Sequence, residues 1–165
     1  MAIVIIALIA AFSGTKEQND YLRIHIRANS NEIADQQIKL KVKDEVVKYL
    51  TPVLADCETK QKAFSSISKN LKNIECIANN VLAHNNYSYT AKASLSRENF
   101  PTRSYDGFTL SEGVYDALII SLGSAEGNNW WCVVYPPLCF VGGENTGGDM
   151  KYVSKLKEII ESFKR

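Results

Sequence analysis

The chain has 165 residues, 45 % of them hydrophobic and 10 % aromatic, which is enough apolar material for one domain of ordinary size with a short appendage. Its 19 basic and 18 acidic residues nearly cancel, with no long basic run. That balance argues against nucleic acid as a partner and gives no reason to expect an acidic substrate.

The first twelve residues, MAIVIIALIAAF, are unbroken apolar sequence, followed by a polar spacer to Asp20. A membrane span takes about 20 residues, so this run is short for one. It suits the apolar segment of a secretory signal, with Ala11-Phe12-Ser13 as a small-x-small cleavage site. No Lys or Arg precedes it, so either the natural start lies upstream or the segment is an uncleaved anchor. Residues 1–20 are therefore expected to be a signal or anchor with a spacer, and the protein to be exported. Outside the cytosol, Cys57, Cys76, Cys132 and Cys139 become disulfide candidates.

Residues 21–28 alternate cleanly, which predicts a strand with Leu22, Ile24, Ile26 and Ala28 on a core face and Arg23, His25 and Arg27 on a wetter one. Asn29-Ser30-Asn31 then offers caps for a helix over 32–54, whose stripe is Ile38, Val42, Val46, Tyr49, Leu50 and Val53. Pro52 falls where such a helix falters. A second helix over 59–83 carries Phe64, Ile67, Leu71, Ile74, Ala78 and Val81. The short link predicts an antiparallel pair. Cys57 sits in that link and Cys76 about 17 residues into the second helix, or ~25 Å along its axis. A disulfide needs Cα atoms within about 7 Å, so these two should not pair.

Alternation resumes over 87–95, and 99–104 reads as a loop held extended by Pro101. Residues 108–110 suggest a short strand. The doubly apolar stretch 114–122 predicts a strand central in the sheet. After a turn over 123–129, residues 130–135 form a further strand, stopped by Pro136-Pro137. A Gly-rich linker over 142–148 and an amphipathic helix over 149–165 close the chain. The expectation is an α+β fold, with a mixed or mostly antiparallel sheet against a helical hairpin and the C-terminal helix, and one globular domain over 21–141.

No chemistry stands out. The chain has two His, His25 and His84, and pairing His25 with Cys132 or Cys139 rests on no local motif. Cys132 and Cys139 lack the close spacing of zinc ligands, and the Gly-rich stretch lacks the Lys-Ser/Thr of a phosphate loop, so neither metal nor cofactor is expected. A turn on Pro136-Pro137 would bring Cys132 and Cys139 together as a disulfide contributing ~2–3 kcal/mol; the alternative is two buried thiols. Trp130 and Trp131 must face opposite sides of their strand. One of them, with Pro136 and Pro137 as a rigid apolar tip, is available either to a partner or to another layer of the fold.

Three groups of residues resemble the stage II sporulation protein R family: Arg27-Ala-Asn-Ser30 with Asp35-Gln36, Lys39 and Val42-Lys43-Asp44; Phe100-Pro-Thr-Arg103 with Tyr105, Gly113-x-Tyr115-x-Ala117-Leu118 and Leu122-Gly123; and above all Gly127-x-Asn129-Trp-Trp-Cys-Val-Val-Tyr-Pro-Pro-Leu-Cys-Phe140. Asn31-Glu-Ile-Ala34 departs from the family's more acidic, Pro-containing helix start, and the leader from its basic beginning. The resemblance implies a secreted, non-catalytic signalling protein of endospore formation. It would be made in the forespore and exported to the space between the forespore and mother-cell membranes. There it would activate a membrane-embedded aspartic protease that cleaves an inactive sigma-E precursor. The competing readings are an exported cysteine-dependent or hydrolytic envelope enzyme and a purely structural envelope protein. For partner contact the candidates are Trp131, Pro136 and Pro137, with Phe100 and Arg103 as a second patch.

Overall fold

The computed structural model describes residues 20–105 and 108–137. The leader, the Gly-rich linker, the C-terminal helix and Cys139 lie outside the described residues. In chain order the elements are β1 (Leu22–Arg27), α1 (Ile33–Leu54), α2 (Lys60–His84), β2 (Ala91–Phe100), β3 (Arg103–Tyr105), β4 (Phe108–Leu110), β5 (Gly113–Leu122) and β6 (Asn129–Tyr135). The strands form a mixed four-stranded sheet in the order β2-β5-β1-β6, and β3 pairs with β4 as a separate hairpin. Strands β1 and β5 run parallel, while β2 with β5 and β6 with β1 run antiparallel. This is the expected α+β class, with β5 in the interior as its doubly apolar sequence requires.

Both helices lie on one face of the sheet. Ile38, Val42, Val46 and Leu50 of α1 and Ile67, Ile74 and Ala78 of α2 meet Leu22, Ile24 and Ile26 of β1 and Leu118, Ile120 and Leu122 of β5 in one buried core. The helical stripes read from the sequence point into this core; Tyr49, Val53, Phe64, Leu71 and Val81 lie partly buried at its margin. Thr59 caps α2 by accepting a hydrogen bond from the Lys62 amide at 3.2 Å. The expected side-chain cap of α1 is absent: its N-cap is Glu32, and Ser30 Oγ accepts instead from the Glu32 amide. Asn29 and Ser30 are committed elsewhere, as described below.

Two further expectations need correction. The alternation at Tyr87 and Tyr89 precedes the strand, which begins at Ala91 and runs through Phe100. Those tyrosines reach α1 instead, Tyr87 donating to the Ala34 carbonyl and Tyr89 to Asp35. The larger correction concerns the second face of β1. It is not wet, because Arg23 is 0 % and His25 2 % exposed. The far end of β2 and the β3–β4 hairpin bring Phe100, Leu110 and Tyr105 over that face, where they join Tyr115, Ala117, Ile119 and Val133 in a second, smaller core. Among the described residues, no helix is long and apolar enough to cross a membrane.

Candidate functional site

The sheet face turned away from the helices gathers the polar groups that alternation places on β1, together with partners distant in sequence. Pairing of β1 with β6 sets His25 opposite Trp131 and Arg27 opposite Asn129. The His25 and Trp131 rings stack with centroids 3.7 Å apart and planes 20° apart, and Phe100 meets both edge-on. From β2, Glu98 takes a hydrogen bond from His25 Nδ1 at 2.7 Å on one carboxylate oxygen and pairs with Arg27 on the other. Burial pushes the His25 imidazolium down to about 4; Asn129 works against that shift and Arg27 with it. The ring is therefore neutral near pH 7 and donates from Nδ1, while Nε2 is buried without a hydrogen bond of ordinary geometry.

One residue pair along, the Arg23 guanidinium lies 4.3 Å from the Phe100 ring centroid and 4.9 Å from that of Tyr115. It donates to Tyr105 Oη at 2.8 Å, while its Nε and Nη1 have no partner. Burial lowers the Arg23 pKa, and Tyr105 counteracts it. Among the described residues no carboxylate is hydrogen-bonded to this side chain, so a charge is held in the smaller core by aromatic faces and one hydroxyl.

The geometry separates one of the couples that a thiol enzyme would have used. Cys132 pairs with Ile24 and enters the helix-side core, whereas His25 faces the opposite side of the sheet. A Cys132–His25 couple is thus excluded by strand alternation. Cys139 lies outside the described residues; Cys57 and Cys76 are free thiols, the first buried near Val53 and Ser66, the second exposed. Among the described residues no three His, Cys, Asp or Glu side chains stand together as metal ligands would.

The candidate contact residues divide. Phe100 is 0 % exposed and forms the floor beneath Trp131, and a side chain so placed meets no partner directly. Pro136 and Pro137 are buried rather than projecting as a tip, and the Tyr135–Pro136 peptide is cis. Trp131 is half-buried and Arg103 exposed. Trp130 faces the other way, toward the helix-side core, with Lys43 Nζ 6.0 Å from its ring centroid.

Sequence reasoning missed a polar knot where the loop after β1 meets the loop before β6. Asn29 donates to Asp35 from its amide nitrogen and accepts from the Ser124 amide; Ser30 Oγ donates to the same Asp35 oxygen at 2.6 Å. Burial alone would raise the Asp35 pKa, but hydrogen bonds from Ser30, Tyr89 and Asn29 outweigh it and hold the carboxyl below its ordinary value. Lys39, itself buried, spans Gln36 and the Asn128 carbonyl, and Asn31 accepts from the Asn128 amide. The Gly127 amide donates to the Ala28 carbonyl at 2.9 Å, and a Cβ at Gly127 would strike the Ser30 carbonyl. Gly123 makes its turn at φ 56° against Asn29, a conformation that favours glycine. The available signal was the cluster of Asn, Ser and Gly on both sides of the knot, which periodicity reads only as turn.

Many of these knot and second-core residues fall within the family-like motifs. The profile of the stage II sporulation protein R family matches residues 18–145. The stage II sporulation protein R of Bacillus subtilis strain 168 is 34 % identical over 124 residues, which is 75 % of this chain and 55 % of that relative. The chain thus spans about half the length of the curated relative it matches. No solved structure matches it. The match runs through the whole described sheet and both helices, and on that ground the chain belongs to the stage II sporulation protein R family.

Proposed function

We propose that this chain is an exported, non-catalytic signal of endospore formation. Made in the forespore, it activates a membrane-embedded aspartic protease of the mother cell, which then cleaves the inactive sigma-E precursor. Membership of the stage II sporulation protein R family carries the reading. The apolar leader supports export, and the separation of Cys132 from His25 argues against that thiol couple. In this reading Cys132 and Cys139 are bridged after export, which a thiol count with and without reductant checks. Trp131 and Arg103 are the proposed contact residues that retain exposed surface, above a floor of Phe100.

The test is co-expression of the exported chain, the protease and the sigma-E precursor in a non-sporulating host. Precursor cleavage that depends on the chain is expected. Cleavage unchanged by its presence would overturn the reading.

A further inference from the structure

The outer edge of β2 is half closed and half open. Asn79 of α2 imitates a neighbouring strand, accepting from the Ala91 amide at 2.8 Å and donating to the Ala91 carbonyl at 3.1 Å. One turn earlier, Glu75 accepts from the Ala93 amide at 2.9 Å. Antiparallel pairing sends alternate residues to opposite sides, so the backbone groups of Leu95, Arg97 and Asn99 point outward as those of Ala91 and Ala93 do. Among the described residues, no other strand pairs with that edge. Its amides at 95, 97 and 99 have no hydrogen-bond acceptor among the described residues, and Ser96 Oγ reaches the Arg97 carbonyl only at 3.4 Å.

We propose that this open stretch of β2, from Leu95 to Asn99, receives an extended, acidic segment of the partner polypeptide, which adds to the sheet as a fifth strand beside α2. The inference deepens the functional reading above and rests on it. Main-chain hydrogen bonds supply affinity in such strand addition, and side chains along the groove supply selectivity. Here Glu75 is engaged by the Ala93 amide and Glu98 by Arg27, which leaves two cations beside the open stretch. Lys72 stands one turn along the same side of α2 as Glu75, and Arg97 occupies the middle of the stretch with its side chain 71 % exposed. The nearby Asp116 is already held by Lys60 at 2.6 Å and lies 3.9 Å from Arg97. The near-zero net charge of the chain does not cancel this local excess. A second copy is the poorer occupant, since two-fold antiparallel pairing about Arg97 sets the two guanidinium groups opposite each other.

Two variants test this in the co-expression assay with full-length protease and precursor. Arg97→Pro deletes an outward amide and no ladder bond to β5. It should keep the melting temperature within about 3 °C and lower precursor cleavage at least about tenfold. Arg97→Glu keeps every backbone bond, reverses the charge and should lower cleavage severalfold. Wild-type cleavage by a folded Arg97→Pro, or by Arg97→Glu if the proline variant fails to fold, overturns the inference while leaving the functional reading intact. A wild-type chain that triggers no cleavage overturns the functional reading, and this inference with it.

Discussion

The buried His25 makes a pH dependence that can be worked through. Its folded-state pKa lies at about 4, below the ordinary 6.5, because the ring is enclosed by Trp131, Phe100 and the sheet beside the Arg27 charge. Above the ordinary value both folded and unfolded chains carry a neutral ring, and the group costs nothing. As pH falls below it, the unfolded chain binds a proton that the folded chain refuses, so stability drops until the folded ring also titrates. The full loss is at most about 3 kcal/mol, with roughly two-thirds of it present by about pH 5. The Glu98 carboxylate at 2.7 Å favours the cation and makes this an upper bound. Urea denaturation of wild type and His25→Gln between about pH 7.5 and pH 4.5 isolates the effect, because Gln keeps a donor toward Glu98 and does not titrate. The wild type should lose about 2 kcal/mol more than the variant over that range. Parallel losses would refute the neutral, buried assignment of His25.

Three further outcomes are expected. Gly127→Ala should cost about 2–3 kcal/mol in urea titration, because its Cβ meets the Ser30 backbone and neither side can yield. Arg23→Met should be neutral or stabilising, since it removes a buried charge with two unpartnered nitrogens and no ion pair among the described residues; Tyr105→Phe should cost about 1–3 kcal/mol in wild type and much less in Arg23→Met, a coupling read from a double-mutant cycle. Trp131→Ala should cost about 2 kcal/mol from a half-buried ring and raise the His25 pKa by admitting water, which an NMR titration of the imidazole detects.

Periodicity made most elements legible, because each reports a face that must be buried locally. The stripe of α1 and the double apolarity of β5 needed no knowledge of partners. What alternation could not reveal was how wet the second face of β1 is. Arg23 and His25 read as solvent-facing, yet both are buried by residues some 70 or more positions later: Glu98, Phe100, Tyr105 and Trp131. A polar face becomes interior when distant elements bring it an acceptor and aromatic cover, and no window of a dozen residues contains that information. The tyrosines at 87 and 89 misled for the related reason that their hydroxyls, not their alternation, fix their place, on Ala34 and Asp35. The bound on Cys57 and Cys76 came from helix length alone, and geometry of that kind is local.

The family-like signature also changes meaning once it is folded. Gly127 and Asn128 tie the loop before β6 to Ala28, Asn31 and Lys39; Trp130 and Cys132 face the helix-side core; Val133 fills the smaller core. In the described part of the signature, Trp131 and Asn129 carry exposed surface and also sit beside polar groups of β1. Residues that specify a fold this strongly are poor reporters of where a partner binds, because replacing them disturbs the scaffold first. Contact is better sought where the scaffold leaves bonding capacity unused, and the outward amides of Leu95, Arg97 and Asn99 are such a place. Variants there separate recognition from folding in a way that variants of the Trp-Trp stretch cannot.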